Sequence, residues 1–233
     1  MKLHVGTSGY GYKEWKGSFY PEKISPKEML RFYGERFNAV EINYTYYHMP
    51  TERILAPWGE QVPDGFVFVL KAPQVITHVK RLRGVNEETE YYFRTVSLLG
   101  GKLGAVLCQF PGFFRANLSR LESFLDLIPA GVRCAFEFRS PTWQEVGVAD
   151  LLASRGHTLC IADTDESPAG ELAAKASWGY LRLRRPGYTD ADLVAWAGRI
   201  KAQPWEQAFV FFKHEEEGQG PKLAHRFLEI AEG

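Results

Sequence analysis

No apolar run in these 233 residues reaches the ~18 that a membrane-spanning helix needs. The amino terminus, Met-Lys-Leu-His-Val-Gly, also lacks the apolar stretch of about 7 to 15 residues found in a secretory signal. A cytoplasmic protein with no membrane partner is therefore expected. Cysteine is scarce. Cys108, Cys134 and Cys160 are an odd number without a CxxC pair, which argues against a disulfide framework or a zinc ribbon. Net charge is missing too: 28 Lys plus Arg against 28 Asp plus Glu give +0, so no overall field draws the chain to nucleic acid. Neither GxGxxG nor GxxxxGK[ST] occurs, which removes the standard phosphate-binding loops, and neither HxH nor HExxH occurs among the six histidines.

What is present is a repeated unit. A short apolar strand over Leu3–Thr7 leads through a loop rich in glycine and aromatics to Ser25-Pro26-Lys27-Glu28, a capping box with proline at the first helical position. A second strand follows within Phe37–Pro50, where Ala39, Val40 and Ile42 want a core and Glu41 and Asn43 do not. Further strands are expected at 66–70, 105–108, 134–136, 158–162, 180–183 and 209–212. Helices between them are capped by Thr51, Asn86, Asn117 and Thr189, with Pro57 a possible kink. One more helix is expected around Val146–Ser154, a short one within Asp165–Ser177, and a last one from Pro221 to Ala231. About eight strands alternating with about eight helices predict a single TIM-type (β/α)₈ barrel over residues 1–233, for which ~250 residues is typical. A doubly wound open sheet is the alternative.

Reactive groups of such barrels sit at the carboxyl ends of the strands. Seven of the expected strands carry polar groups there: Glu41 and Asn43; Lys71; Gln109; Glu137 and Arg139; Asp163; Arg182 and Arg184; Lys213 or His214. If Gln109, Glu137 and Asp163 point inward, strand alternation sends Cys108, Cys134 and Cys160 outward against the helices as small packing residues.

Several stretches resemble the YecE-like family, also labelled domain of unknown function 72. They are Val5 to Pro21 (VGTSGYGYKEWKGSFYP), Phe37 to Tyr47 (FNAVEINYTYY), Lys71-Ala72-Pro73, Ile76-Thr77-His78, Leu107 to Pro111 (LCQFP) and Glu137-Phe138-Arg139. The resemblance covers nearly the whole chain. It implies a TIM-type barrel, no settled activity, and signature positions at Glu41, Asn43, Lys71, Gln109, Glu137, Arg139 and Asp163. The carboxyl-terminal third departs from the family's Arg-x-His-Gly and Phe-x-Asn-Asn, having Arg182-Leu183-Arg184-Arg185-Pro186-Gly187 and Phe211-Phe212-Lys213-His214 instead.

The expected mouth holds more cations than anions, and guanidinium forks suit phosphate or carboxylate. An anionic small molecule is the expected ligand, with Lys71, Arg139 and Arg182 as its contacts. Glu41 and Glu137 are the acid–base candidates, and Lys71 and Asp163 complete the candidate catalytic set of a hydrolase or lyase. Asn43, Tyr44, His78, Gln109 and Trp143 join Arg139 and Arg182 as candidate substrate-binding residues. The bland alternative pairs Glu41 with Lys71 and Glu137 with Arg182 or Arg139, merely satisfying the barrel rim.

Three other functions compete. A glycoside hydrolase would use Glu41 and Glu137 across a sugar. A metal-dependent nuclease or isomerase would gather His48, His78 and His214 with the acids, although no ligand motif marks a metal. A nucleic-acid-binding barrel would use Lys80, Arg81 and Arg83 with exposed tyrosines. Lys71 as a Schiff-base amine is expected to be held back by acidic neighbours that keep it protonated. The sequence identifies neither a cofactor nor an oligomeric state.

Overall fold

The computed structural model describes residues 1–144, 147–169, 172 and 175–233. Eight strands are found among them: β1 (Lys2–Thr7), β2 (Ala39–Ile42), β3 (Val67–Lys71), β4 (Leu103–Phe110), β5 (Cys134–Phe138), β6 (Thr158–Asp163), β7 (Trp178–Leu183) and β8 (Gln207–Phe212). All neighbours are parallel, in the order β1-β8-β7-β6-β5-β4-β3-β2. Helices α1 (Met29–Gly34), α2 (Tyr44–Tyr47), α3 (Glu52–Gln61), α4 (Asn86–Val96), α5 (Leu118–Leu125), α6 (Val148–Ser154), α7 (Asp190–Lys201) and α8 (Gln219–Glu232) lie between or after the strands. The result is the expected TIM-type (β/α)₈ barrel.

The ring closes between β1 and β2 largely through side chains. Only Ser8 and Glu41 form a backbone bridge there, with Gly9 N donating to Glu41 O at 2.7 Å. Lower down, Asn38 accepts from Val5 N at 2.8 Å and donates to Leu3 O at 2.9 Å. The Tyr33 hydroxyl accepts from Thr7 N at 2.8 Å and donates to Ala39 O at 3.1 Å. Gly6 makes this seam possible, because a Cβ there would lie 1.9 Å from Ala39 O.

Two apolar layers follow from strand alternation. Inside the barrel, Ala39, Val67, Val69, Ala105, Leu107, Ala135, Trp178, Tyr180, Phe209 and Phe211 pack together. Outside, residues of opposite parity such as Val40, Leu70, Val106, Cys108, Cys134 and Phe136 pack with residues of the helices. The inner core sits below the polar strand ends and gives them a dry floor.

Local signals held in part. Thr189 and Asp192 form the full capping box of α7, and Asn117 caps α5 by accepting from Arg120 N at 2.9 Å. Pro57 lies within α3 without ending it. At Ser25 the Glu28 carboxylate accepts from the Ser25 hydroxyl and amide, yet residues 26–28 form a turn and α1 starts only at Met29. Residue 146, where a helix was expected to begin, lies outside the described residues, and α6 is described from Val148. Part of the 165–177 segment is likewise outside them, and its described residues form no helix.

Candidate functional site

The expected layer of polar groups at the carboxyl ends exists, organised around one guanidinium. Arg182 on β7 donates from Nη1 to Glu137 Oε2 at 2.6 Å and from Nη2 to Glu41 Oε1 at 2.9 Å. Glu41 is fully buried; its Oε2 accepts from the Tyr180 hydroxyl at 2.6 Å and its Oε1 from the Ser8 hydroxyl. Asn43 Nδ2 donates to Ser8 Oγ at 3.0 Å and so holds that hydroxyl in place. Across the barrel, Gln109 Nε2 donates to Glu137 Oε1 at 2.7 Å, and Lys71 Nζ donates to Gln109 Oε1 at 2.6 Å. A continuous buried chain thus runs Lys71–Gln109–Glu137–Arg182–Glu41, spanning strands β3, β4, β5, β7 and β2.

The charges respond to this wiring. Burial opposes ionisation of Glu137, but Arg182 and Arg184, with hydrogen bonds from Gln109 and Arg182, hold it down at about 2. Burial likewise opposes the charge of Glu41, yet Arg182 and the Ser8 and Tyr180 hydroxyls keep its carboxyl below the ordinary range. Lys71 moves the other way for a lysine. Burial, and then the charge of Arg182, lower it to about 8 against the pull of Glu41 and Glu137. Its ammonium lies 4.1 Å from the Tyr46 ring centroid, with no carboxylate within ion-pair distance among the described residues. This overturns one expectation, since Glu41 pairs with Arg182 and not with Lys71; Glu41 and Glu137 still favour the ammonium, which predominates at pH 7.

Further cations crowd the rim. Arg139 Nε and Arg184 Nη2 approach Glu137 Oε1 at 3.5 and 3.8 Å, longer than a hydrogen bond, while Arg182 already occupies the other oxygen of that carboxylate. Arg184 Nε is buried without a partner. Beside them opens a cavity of about 570 Å³ lined by Glu137, Arg139, Cys160, Thr164 and Arg184 among others. His78 stands near Lys71, edge-on to Tyr46 at 5.1 Å, with Nδ1 2.9 Å from the Thr77 hydroxyl; burial, Lys71 and Arg139 lower it to about 4, so it is neutral at pH 7.

Asp163 departs from the expected ring. It is buried, but Oδ2 accepts from the Tyr188 hydroxyl at 2.5 Å and Oδ1 from Ala169 N at 3.0 Å, and Arg185 lies 3.7 Å away. Parity on β6 is the reverse of that assumed: Leu159 and Ile161 pack in the outer core, whereas Cys160 touches the inner core and lies 3.9 Å from Glu137 Oε2. Burial and Glu137 push that thiol well above its usual value, so it remains protonated. Cys108 and Cys134 do point outward, as alternation predicts.

Two aromatic candidates also lie elsewhere. Trp143 is buried, stacked on Phe138 at 4.1 Å and donating to Phe114 O at 2.8 Å. Tyr44 is exposed beside His48 and Trp58, and Tyr46 meets the ring instead. Sequence reasoning overlooked Ser8 and Tyr180 and set Cys160 on the wrong face, whereas Tyr46 lies by the pocket, as expected of the loop after β2. Tyr180 was within reach, since it precedes Arg182 by two residues and therefore shares its face. His48, His78 and His214 do not converge: they meet Tyr44, Tyr46 with Thr77, and Arg185 O respectively. Among the described residues no three His, Cys, Asp or Glu are grouped to hold a metal ion. No described helix is long and apolar enough to cross a membrane.

Comparison with known proteins gives a family without an assigned activity. Residues 4–233 match the family described as protein of unknown function DUF72. The UPF0759 protein YecE of Escherichia coli K12 is 31% identical over 128 residues, 54% of this chain and 47% of that protein. The UPF0759 protein YunF of Bacillus subtilis 168 is 29% identical over 150 residues, 60% of this chain and 52% of that protein. The matched region is thus about half the length of these relatives. A DUF72 family protein of Thermotoga maritima superposes with a TM-score of 0.84 at 24% identity, covering 100% of both chains. Another from Enterococcus faecalis gives 0.81 at 17%, covering 99% of this chain and 96% of that one.

Proposed function

We propose, for a chain that belongs to the DUF72 family of proteins of unknown function, that the barrel mouth binds a small molecule bearing a carboxylate or phosphate. The charge balance of the mouth carries this reading. Among the described residues Arg182, Arg139 and Arg184 are ion-paired with only two carboxylates, Glu41 and Glu137, and Lys71 with none; Asp163 is turned to Tyr188, and the exposed Glu166 that also lines the cavity lies beyond ion-pair distance. Arg182 is matched by both acids. Arg139 and Arg184 share what is left of Glu137, and an anion in the adjacent cavity would complete their coordination. In this reading the buried chain from Lys71 to Glu41 positions the binding groups, and Gln109 and Asn43 fix orientation.

The same geometry weakens the glycoside-hydrolase reading. Glu41 and Glu137 both hold one guanidinium, which fills the gap a sugar would need, and both are held ionised, so neither resembles a raised-pKa general acid. A second reading is favoured by Lys71, whose lowered value and lack of a carboxylate partner suit an amine nucleophile toward a carbonyl. The amine would add to the carbonyl carbon and expel its oxygen as water, leaving an imine.

The test is a thermal-shift and calorimetric panel of phosphate, sulfate and small mono- and dicarboxylates. Wild type should respond to at least one class, and Arg139→Ala and Arg184→Ala should each weaken that response about tenfold, the worth of a charged hydrogen bond. A wild-type protein indifferent to the whole panel, or an unchanged response in both variants, would sink the binding reading. Borohydride trapping with oxo acids, read by mass at Lys71, addresses the amine separately.

A further inference from the structure

Apart from the barrel mouth, four arginines converge on one concave site. Arg81 and Arg83, from the loop before α4, meet Arg115 and Arg120, from the loop before α5 and its first turn, around a cavity of about 320 Å³. Phe113, Phe114, Ala116 and Asn117 complete the lining. Elsewhere Arg36, Arg155, Arg182, Arg185 and Arg226 each have a carboxylate within ion-pair distance. None of these four does among the described residues, and none donates a side-chain hydrogen bond to a described residue. The neighbouring Glu88 is taken by Lys80. Burial and the charges of Arg83 and Arg81 depress Arg120, as expected of cations crowded without counter-ions.

The backbone is distorted to build this cluster. Arg81 and Leu82 sit at φ 49° and 65°, left-handed conformations that side chains of this kind seldom adopt. The bend buries Leu82 in the core, with its amide on Ile76 O at 3.0 Å, and leaves Arg81 and Arg83 on either side facing the cavity. Helix α5 begins at the same place, and its Asn117 cap adds the positive end of a helix to the four guanidiniums. Phe113 is 68% exposed, with no aromatic neighbour among the described residues. Arg81 lies 5.6 Å from its centroid, and Arg120 lies 5.8 Å from that of Phe114.

We infer that the pocket formed by Arg81, Arg83, Arg115, Arg120 and Phe113 is a binding site for a nucleoside di- or triphosphate. The phosphate tail lies among the four arginines and the base stacks on Phe113. Four uncompensated cations call for several negative charges on one small ligand, and guanidinium forks match phosphate oxygens. The exposed ring supplies a flat face for an aromatic base. A confined pocket, rather than a groove tracking across the surface, favours a free nucleotide over a nucleic-acid strand. This site stands on its own residues and does not depend on the barrel-mouth reading.

Calorimetry on the whole chain at physiological salt, without divalent cations, tests it with ATP, ADP, inorganic tripolyphosphate, adenosine and a single-stranded oligonucleotide. ATP and ADP should bind, tripolyphosphate more weakly, and adenosine not measurably. Phe113→Ala should bring ATP to the level of tripolyphosphate, about a tenfold loss. Arg83→Ala and Arg120→Ala should each lower both about tenfold, whereas Arg226→Ala on α8, which lines neither this pocket nor the mouth, should leave both unchanged. Should half-buried Arg120 prove necessary for folding, the exposed pair Arg83→Ala and Arg115→Ala gives the same reading. The assignment is overturned if ATP does not bind, if the arginine variants bind it as wild type does, or if the oligonucleotide binds and the nucleotides do not.

Discussion

Lys71 Nζ donates a hydrogen bond to the amide oxygen of Gln109, 2.6 Å away, and to no carboxylate among the described residues. Burial, and then the charge of Arg182, lower its value from the ordinary 10.5 to about 8. A lysine lowered on folding binds fewer protons in the native than in the unfolded state between those two values. Wild-type stability should accordingly gain a contribution from Lys71 as pH rises from about 8 toward 10.5, and carry its full cost below 8. Lys71→Met, which keeps the stem and removes the charge, should match or exceed wild type at pH 7 and lose that advantage by pH 10. Urea unfolding of both proteins across this range measures the difference; parallel curves would refute the lowered lysine.

Glu137 shows the opposite linkage. Its folded value of about 2 lies below the ordinary 4.5, so the ionised carboxylate stabilises the fold fully above 4.5. That contribution, about 3 kcal/mol at most for a group this buried, disappears as pH falls through 4.5 toward 2. Glu137→Gln should be less stable than wild type at neutral pH and show a shallower acid limb between pH 5 and 2. An acid limb of unchanged slope in the variant would mean that other carboxylates set it.

Arg182 is the keystone of the buried chain. Arg182→Met would leave fully buried Glu41 and nearly buried Glu137 without their shared cation, and removing one partner of a buried pair costs about 3 to 5 kcal/mol. The variant should also become relatively more stable as pH falls, because both unpaired acids then gain by taking up protons. The triple variant Glu41→Gln, Arg182→Met, Glu137→Gln should recover much of the loss. Denaturant midpoints at pH 7 and pH 5 distinguish this from simple loss of packing, which would not depend on pH.

The barrel was legible because its signals repeat: apolar strands, polar strand ends and helix caps recur in one order, and each supports the others. Glu41, Lys71, Gln109, Glu137 and Arg182 could be placed in one ring because each ends a strand of that repeat. The pairing of Glu137 with Arg182 was anticipated, but that Glu41 shares the same guanidinium could not be read, since it depends on which strands face each other across the barrel. Asp163 was misplaced for a local reason. The inward positions of β6 carry the small residues Cys160 and Ala162, so the acid at its end was the only polar group to find, and it points outward to Tyr188. The arginine pocket was only half visible: Arg81 and Arg83 are adjacent in sequence, but Arg115 and Arg120 reach them only because β3 and β4 are neighbours.

Barrel closure gives the last prediction. Between β1 and β2 the Tyr33 hydroxyl stands where a direct strand-to-strand hydrogen bond would otherwise run, taking the Thr7 amide and serving Ala39 O, and it also receives the Thr7 hydroxyl at 3.0 Å. Tyr33→Phe keeps the ring and its packing while leaving a buried donor and a buried acceptor unmet, at about 1 to 3 kcal/mol each. A loss of about 2 to 4 kcal/mol is expected, concentrated at the seam. Amide exchange should quicken at Thr7 and at Glu41, whose strands it joins, more than at Val106 on the opposite wall. Uniform acceleration across the barrel would show instead that the hydroxyl contributes to global stability without holding the seam.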